Sequence, residues 1–116
     1  MKTKKELKEA YRNMKFRMGV YQIRNKTNGK IFIGSSTNLD AIWNRHRLQL
    51  NMGSHPVKAL QDDWKALGEE NFAYEILEEI KEVEDQVVDY SKEAKLAEEL
   101  YLEELQPFGD RGYNKQ

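Results

Sequence analysis

The stretch Gly19–His46, GVYQIRNKTNGKIFIGSSTNLDAIWNRH, decides the fold. Val20-Tyr21-Gln22-Ile23-Arg24 alternates apolar and polar residues, the pattern of a half-buried strand. Asn28-Gly29 is the strongest short hairpin signal, because a type I′ turn requires a positive φ at both central residues. Lys30-Ile31-Phe32-Ile33-Gly34 is the return strand. Ser35-Ser36-Thr37-Asn38 offers side chains that cap a helix. Beyond it, Leu39, Ile42, Trp43, His46 and Leu50 fall at helical spacing. The segment is a hairpin feeding a helix, and Tyr21, Phe32, Ile42 and His46 are expected to look toward one surface.

Working outward, residues 2–17 (KTKKELKEAYRNMKFR) read as a basic helix with Leu7, Tyr11 and Met14 on one apolar stripe. That helix either packs on the domain or extends from it as an arm toward phosphates. Downstream, Asn51-Met52-Gly53 ends the first helix, Gly being the usual left-handed C-terminal cap. Pro56 suits the first turn of a second helix, with Ser54 or His55 before it. Val57, Leu60, Trp64 and Leu67 form its apolar stripe, and Gly68 stops it. Phe72, Tyr74 and Ile76 alternate as a third strand, Phe72–Ile80. Residues 81–92 are acidic and broken in pattern, a helical stretch or a loose connection. From Ser91 a last helix carries Ala94, Ala97, Leu100, Tyr101 and Leu105, closed by Pro107 and Gly109. These elements add up to an α+β fold, a small three-stranded antiparallel sheet flanked by helices. The reading divides the chain into a basic helix over residues 1–17 and one domain over residues 18–116.

With 116 residues the chain suits one core. It has no Cys, which excludes a disulfide framework and thiolate chemistry. No apolar run approaches the ~18 residues of a membrane span, and the basic N-terminus lacks an apolar signal core. The expected setting is cytoplasmic, without a membrane. The net charge of −1 conceals an asymmetry. Residues 1–68 hold 14 Lys+Arg and 5 Asp+Glu; residues 69–116 hold 5 and 15. The basic half can face phosphates while the acidic half keeps the chain dispersed, or the two halves can attract each other.

Gly19-Val20-Tyr21 and Phe32-Ile33-Gly34 resemble the two triplets of the GIY-YIG nuclease family, with Val for Ile and Phe for Tyr. Ser35-Ser36, Asn38-Leu39, Trp43, His46, His55, Trp64, Glu98, Pro107 and Tyr113-Asn114 continue the likeness in order, from about Met18 to Asn114. The resemblance implies the same three-stranded fold and a metal-dependent endonuclease acting on DNA phosphodiester bonds. It implies that Tyr21 and His46 assist the nucleophilic water. Glu98 would bind Mg²⁺ or Mn²⁺, with Glu99 as the alternative carboxylate. Ser35, Ser36, His55 and Asn114 would contact substrate, although the ring of His55 reads first as a cap of the next helix, and Asn114 also reads as a pin for the tail. Trp43 and Trp64 are read as core.

Two positions depart from the family pattern. Phe32 keeps a ring but lacks a hydroxyl. Ile42 stands where the family has an Arg that holds the scissile phosphate. A preorganised donor of that kind is typically worth ~2.7–4 kcal/mol of barrier. Arg45, three residues on along the helix, is the candidate replacement, and Arg47 the weaker one. Two functions therefore stand: an impaired endonuclease, or a non-cleaving nucleic-acid-binding or regulatory module. A third is a protein-interaction module using the acidic last helix. DNA is the expected partner. The sequence holds no separate targeting domain, so a partner protein or a homodimer would supply sequence recognition.

Overall fold

Alternation along the central strand sets the two faces of the molecule. The structure, a computed structural model, describes residues 16–83 and 87–116. Strand β1 (Met18–Asn25) pairs antiparallel with β2 (Ile31–Ser36) on one side and with β3 (Phe72–Ile80) on the other, giving the order β2-β1-β3. Helix α1 (Leu39–Met52) and helix α2 (Lys58–Leu67) lie between β2 and β3 in the chain, and α3 (Tyr90–Leu105) follows β3. The α+β architecture is the one expected. The expected basic helix falls, apart from Phe16 and Arg17, outside the described residues.

Successive strand residues point to opposite faces. On one face Tyr21 and Ile23 join Leu39, Leu50, Leu60, Trp64 and Phe72 in the core. Aromatic rings tie this face together. Trp43 of α1 stacks on Tyr74 of β3 at 4.7 Å and meets Trp64 edge-on at 6.3 Å, and Trp64 lies 5.0 Å from Phe72. Both tryptophans are packing residues, as expected. On the other face Val20 and Ile33 are fully buried, and Ala94 and Glu98 of α3 are buried too.

Helix α1 starts where the hydroxyl-rich break predicts. Asn38 accepts the Ala41 N–H at 3.1 Å, and Gly53 closes the helix in the left-handed region. Two local expectations need correction. The hairpin is not a two-residue type I′ turn at Asn28-Gly29. Its connection runs from Lys26 to Lys30, and among its residues only Gly29 has a positive φ, 77°. The cause is Asn25, fully buried, whose side chain accepts the Thr27 N–H and whose carbonyl accepts the Gly29 N–H, each at 2.8–2.9 Å. The loop wraps around that residue instead of reversing tightly. The second correction concerns α2. Pro56 lies before the helix, not in its first turn, and Val57 is the N-cap without a side-chain cap. The His55 ring accepts the Val57 N–H and holds Val57 extended (φ −89°), which delays the helix.

The chain's last residues complete the sheet. Tyr113 donates its N–H to Ile31 O at 2.9 Å, and the Asn114 side chain pairs with both the N–H and the carbonyl of Ile33, each at 2.9 Å.

Candidate active site

Tyr21 sits opposite Gly34 in the β1–β2 register, with its ring lying across that glycine. A Cβ at Gly34 would stand 2.3 Å from Tyr21 Oη, so only a bare backbone admits the phenol here. The first triplet's glycine has an equally specific cause. Gly19 adopts φ 150° against β3, and a Cβ there would stand 1.8 Å from the Glu78 carbonyl oxygen. Both glycines of the two triplets are thus fixed by close approach.

The Tyr21 hydroxyl, only 3 % of the residue being exposed, lies 2.7 Å from Nε2 of His46 on α1. His46 Nδ1 lies 2.8 Å from Nε2 of His55, in the loop before α2. His55 Nδ1 accepts the Val57 N–H at 3.1 Å, and the His55 backbone N–H donates to Gln61 at 3.0 Å. Gln61 in turn donates to Leu50 O, which ties α2 and the loop to the end of α1. Phe32 presents its ring edge-on to both imidazoles, 5.6 Å from His46 and 6.4 Å from His55. Burial therefore governs the titration of this cluster. It pushes the Tyr21 phenol up, aided by Tyr74 and by the Glu98 charge. Burial, then His55 and Arg45, drive His46 down to about 4. Burial also lowers His55. At neutral pH both imidazoles are uncharged and Tyr21 is a phenol.

A second cluster forms on the opposite face, at the next position of β2. Ser35 donates to Glu98 Oε1 at 3.0 Å, and Lys95 donates to Glu98 Oε2 at 2.7 Å. Glu98 is 8 % exposed, whereas the Lys95 side chain is largely open to solvent. The carboxylate faces a cleft of about 540 Å³ lined by Ser35, Ser36, Thr37, Ser91, Lys92 and Lys95. Gly34 and Ser35 are neighbours, so the thickness of one strand separates the phenol from the carboxylate.

The expected site residues thus fall into distinct environments. Tyr21, His46 and His55 form one hydrogen-bonded chain. Glu98, not Glu99, is the buried carboxylate, and Ser35 is its partner. Ser36 bonds both polar backbone groups of Asn38 at 3.0 Å and shapes the turn into α1. Both polar atoms of the Asn114 amide are taken by Ile33. Ile42 packs against the core. Arg45 is exposed on α1 and reaches the cluster through its charge on His46. Arg47 pairs with Glu69 at 3.2 Å and lies over Trp43. Sequence reading missed Lys95 and Gln61. The Lys95–Glu98 spacing of i, i+3 was the available signal, since such residues meet on a helix.

Comparison with known proteins gives the family and the fold. Residues 17–114 match the family described as the GIY-YIG catalytic domain. The curated relative "Intron-associated endonuclease 1" of Enterobacteria phage T4 is 35% identical over 71 residues, covering 61% of this chain and 29% of that protein. The chain therefore spans under a third of that relative's length. Two solved structures of the catalytic domain of I-TevI, described as an intron or homing endonuclease, are similar throughout. One, carrying a glutamate-to-alanine substitution, has a TM-score of 0.70 at 29% identity, covering 85% of this chain and 93% of its own. The other has a TM-score of 0.69 at 31% identity, covering 85% and 98%.

Proposed function

Because this chain belongs to the GIY-YIG family, a family of nuclease domains, we propose that it hydrolyses DNA phosphodiester bonds as a divalent-metal-dependent endonuclease of reduced rate. The observation that carries the reading is a buried carboxylate, Glu98, held by Ser35 in an open cleft one strand position from the Tyr21–His46 pair. Phosphodiester hydrolysis requires a positioned water, a carboxylate for a cation and offset of phosphate charge.

The donor set fits a hard cation of the Mg²⁺ or Mn²⁺ kind. No group of three metal-binding side chains exists among the described residues. One buried carboxylate, Glu98, with Asp89 also lining the cleft, suits an ion that keeps most of its waters and takes phosphate oxygens. Glu98 would hold it through Oε2 in place of the Lys95 ammonium, with Ser35 on Oε1 orienting the carboxylate. When bound, the ion would offset charge on the scissile phosphate and leaving oxygen.

The chain's own residues supply the rest. Tyr21 orients the attacking water through its hydroxyl, and His46 fixes the phenol from behind. Lys95, beside Glu98, supplies the positive charge that Ile42 lacks; Lys92, which lines the same cleft, and the exposed Arg45 are the other cations near the site. Lys95 is favoured, because it already touches the buried carboxylate. Phe32 walls the imidazoles from water but offers no hydroxyl. DNA is the substrate, and a partner protein or a second copy of the chain provides recognition of sequence or structure.

The losses at Phe32 and Ile42 support a second reading, a non-cleaving nucleic-acid-binding or regulatory module. One assay separates the two: nicking of supercoiled plasmid with Mg²⁺ or Mn²⁺ by the wild type, Glu98→Ala and Ile42→Arg. Nicking by wild type that Glu98→Ala abolishes supports the endonuclease. Nicking by Ile42→Arg alone supports the non-cleaving module on an intact scaffold. Inertness of all three rejects the catalytic reading.

A further inference from the structure

The chain Val57 N–H, His55, His46, Tyr21 has a direction, and that direction assigns protons. Two imidazoles in contact can share their proton in either sense, Nε2 of one donating to Nδ1 of the other or the reverse. Nothing within the His46–His55 pair itself selects between them. The selection comes from Val57. A backbone amide donates and never accepts. Its N–H points at His55 Nδ1 at 3.1 Å, so that nitrogen is bare. The proton of neutral His55 then resides on Nε2 and is donated to His46 Nδ1 at 2.8 Å. The proton of neutral His46 resides on Nε2 and is donated to Tyr21 Oη at 2.7 Å. The Tyr21 hydroxyl, having accepted, must turn its own proton away from His46. The opposite order would set the Val57 N–H against another N–H, that of the buried His55 ring.

We propose that His55 is a positioning residue: it locks His46 in the Nε2–H tautomer, so that His46 can only donate to Tyr21 and the phenol proton points away from His46. His46 therefore cannot accept a proton at Nε2 while neutral. The proton left for a further partner is that of the Tyr21 O–H, and any negative charge that develops on Oη is met by an N–H already in place. Phe32 adds to the same device. Its edge-on packing against both rings restrains their planes, and it brings no polar atom to compete for a ring nitrogen. Both imidazoles are held uncharged by burial, which preserves a defined tautomer at neutral pH.

The tautomer statement stands without the endonuclease reading; only its consequence for rate rests on it. The test uses the full chain labelled with ¹⁵N, free of DNA and metal, at pH 7. Long-range ¹H–¹⁵N correlations distinguish a protonated ring nitrogen from a bare one. The expected result is a protonated Nε2 and a bare Nδ1 on both His46 and His55. His55→Gln retains an N–H donor toward His46 and is expected to keep the His46 tautomer. His55→Phe fills the space without a donor and is expected to give a mixture of His46 tautomers. A protonated His46 Nδ1 in the wild type overturns the proposal. So does a His46 tautomer unchanged in folded His55→Phe. The wild-type spectrum decides the direction of the chain even where His55→Phe does not fold. In a cleaving preparation, His55→Phe should lower kcat by roughly 10-fold or more at similar KM, a share of what a positioned proton-transfer group supplies, with His55→Gln close to wild type. Failure of cleavage in every protein counts against the endonuclease reading while the spectra stand.

Discussion

Replacing Gly34 by Ala should disable the Tyr21–His46 contact from behind. The added Cβ would lie 2.3 Å from Tyr21 Oη, 2.5 Å from Cζ and 3.0 Å from Cε1. A flexible surface side chain would swing aside, but this ring is 3 % exposed and packs 5.4 Å from Tyr74 and 5.6 Å from His46. It can escape only by leaving the hydrogen bond to His46. Overpacking of a tight core costs about 1–3 kcal/mol. A lost internal hydrogen bond adds about 0.5–1.5 kcal/mol. The expected destabilisation is therefore about 2–4 kcal/mol. Urea unfolding measures it: with a slope of about 2 kcal/mol/M, the midpoint should fall by about 1–2 M. Tyr21→Leu removes the ring and with it the collision. In a double-mutant cycle Gly34→Ala should cost at least ~1 kcal/mol less in the Tyr21→Leu background. A cost below ~0.5 kcal/mol, or strict additivity with Tyr21→Leu, would refute the close-approach argument for this glycine.

Three further outcomes follow from the geometry. The folded state holds His46 at about 4 against an ordinary 6.5, so the unfolded chain binds the extra proton first as pH falls. Stability is complete above ~6.5 and should decline by roughly 3 kcal/mol toward pH 4, with His55 adding in the same direction; urea midpoints at pH 7 and 4.5 that coincide would contradict the buried pair. Glu98→Gln keeps an acceptor for Ser35 but removes the charge, so plasmid nicking should fall by about 10² or more while DNA affinity by gel shift holds, and Lys95→Met should weaken both. DNA binding carried by the basic residues should weaken steeply as salt rises, the slope of log K against log salt measuring the phosphates neutralised, and a flat response would remove DNA as a partner of this surface.

The hairpin, the helix after Asn38 and the third strand were legible because each repeats a period over several residues. Tyr21, Ile23 and Leu39 fall on the core side by alternation and helical spacing alone. The turn was not legible in detail. Asn28-Gly29 signals a tight reversal locally, but the buried Asn25 captures two of the loop's donors, Thr27 and Gly29, and Tyr113, 88 residues away, fixes its amide at 3.0 Å. No local pattern reports a contact of that separation. The site shows the same division. Tyr21 and His46 were visible through their motif positions. Glu98 could not be told from Glu99 by composition, since burial is decided by which side of α3 faces Ser35. His55 was read as a cap or a phosphate ligand. Its ring does receive a helix-entry amide, but its other nitrogen faces His46, and the pairing exists only because α1 and the loop converge.

The mock pairing at the end of the chain has a bearing on how copies of this protein behave toward one another. An outermost strand exposes a row of unsatisfied donors and acceptors that another chain can join. Here the two margins of the sheet are guarded by different means. Along β2, Ile31 O is occupied by Tyr113 and both polar groups of Ile33 by the Asn114 amide, so the row is interrupted where a neighbour would begin to zip. Along β3, Glu78 and Glu79 bring negative charge to the strand, while Glu75 is neutralised by Arg24. The same segment that steadies the strand beside Tyr21 also closes part of a sheet edge that another chain could join.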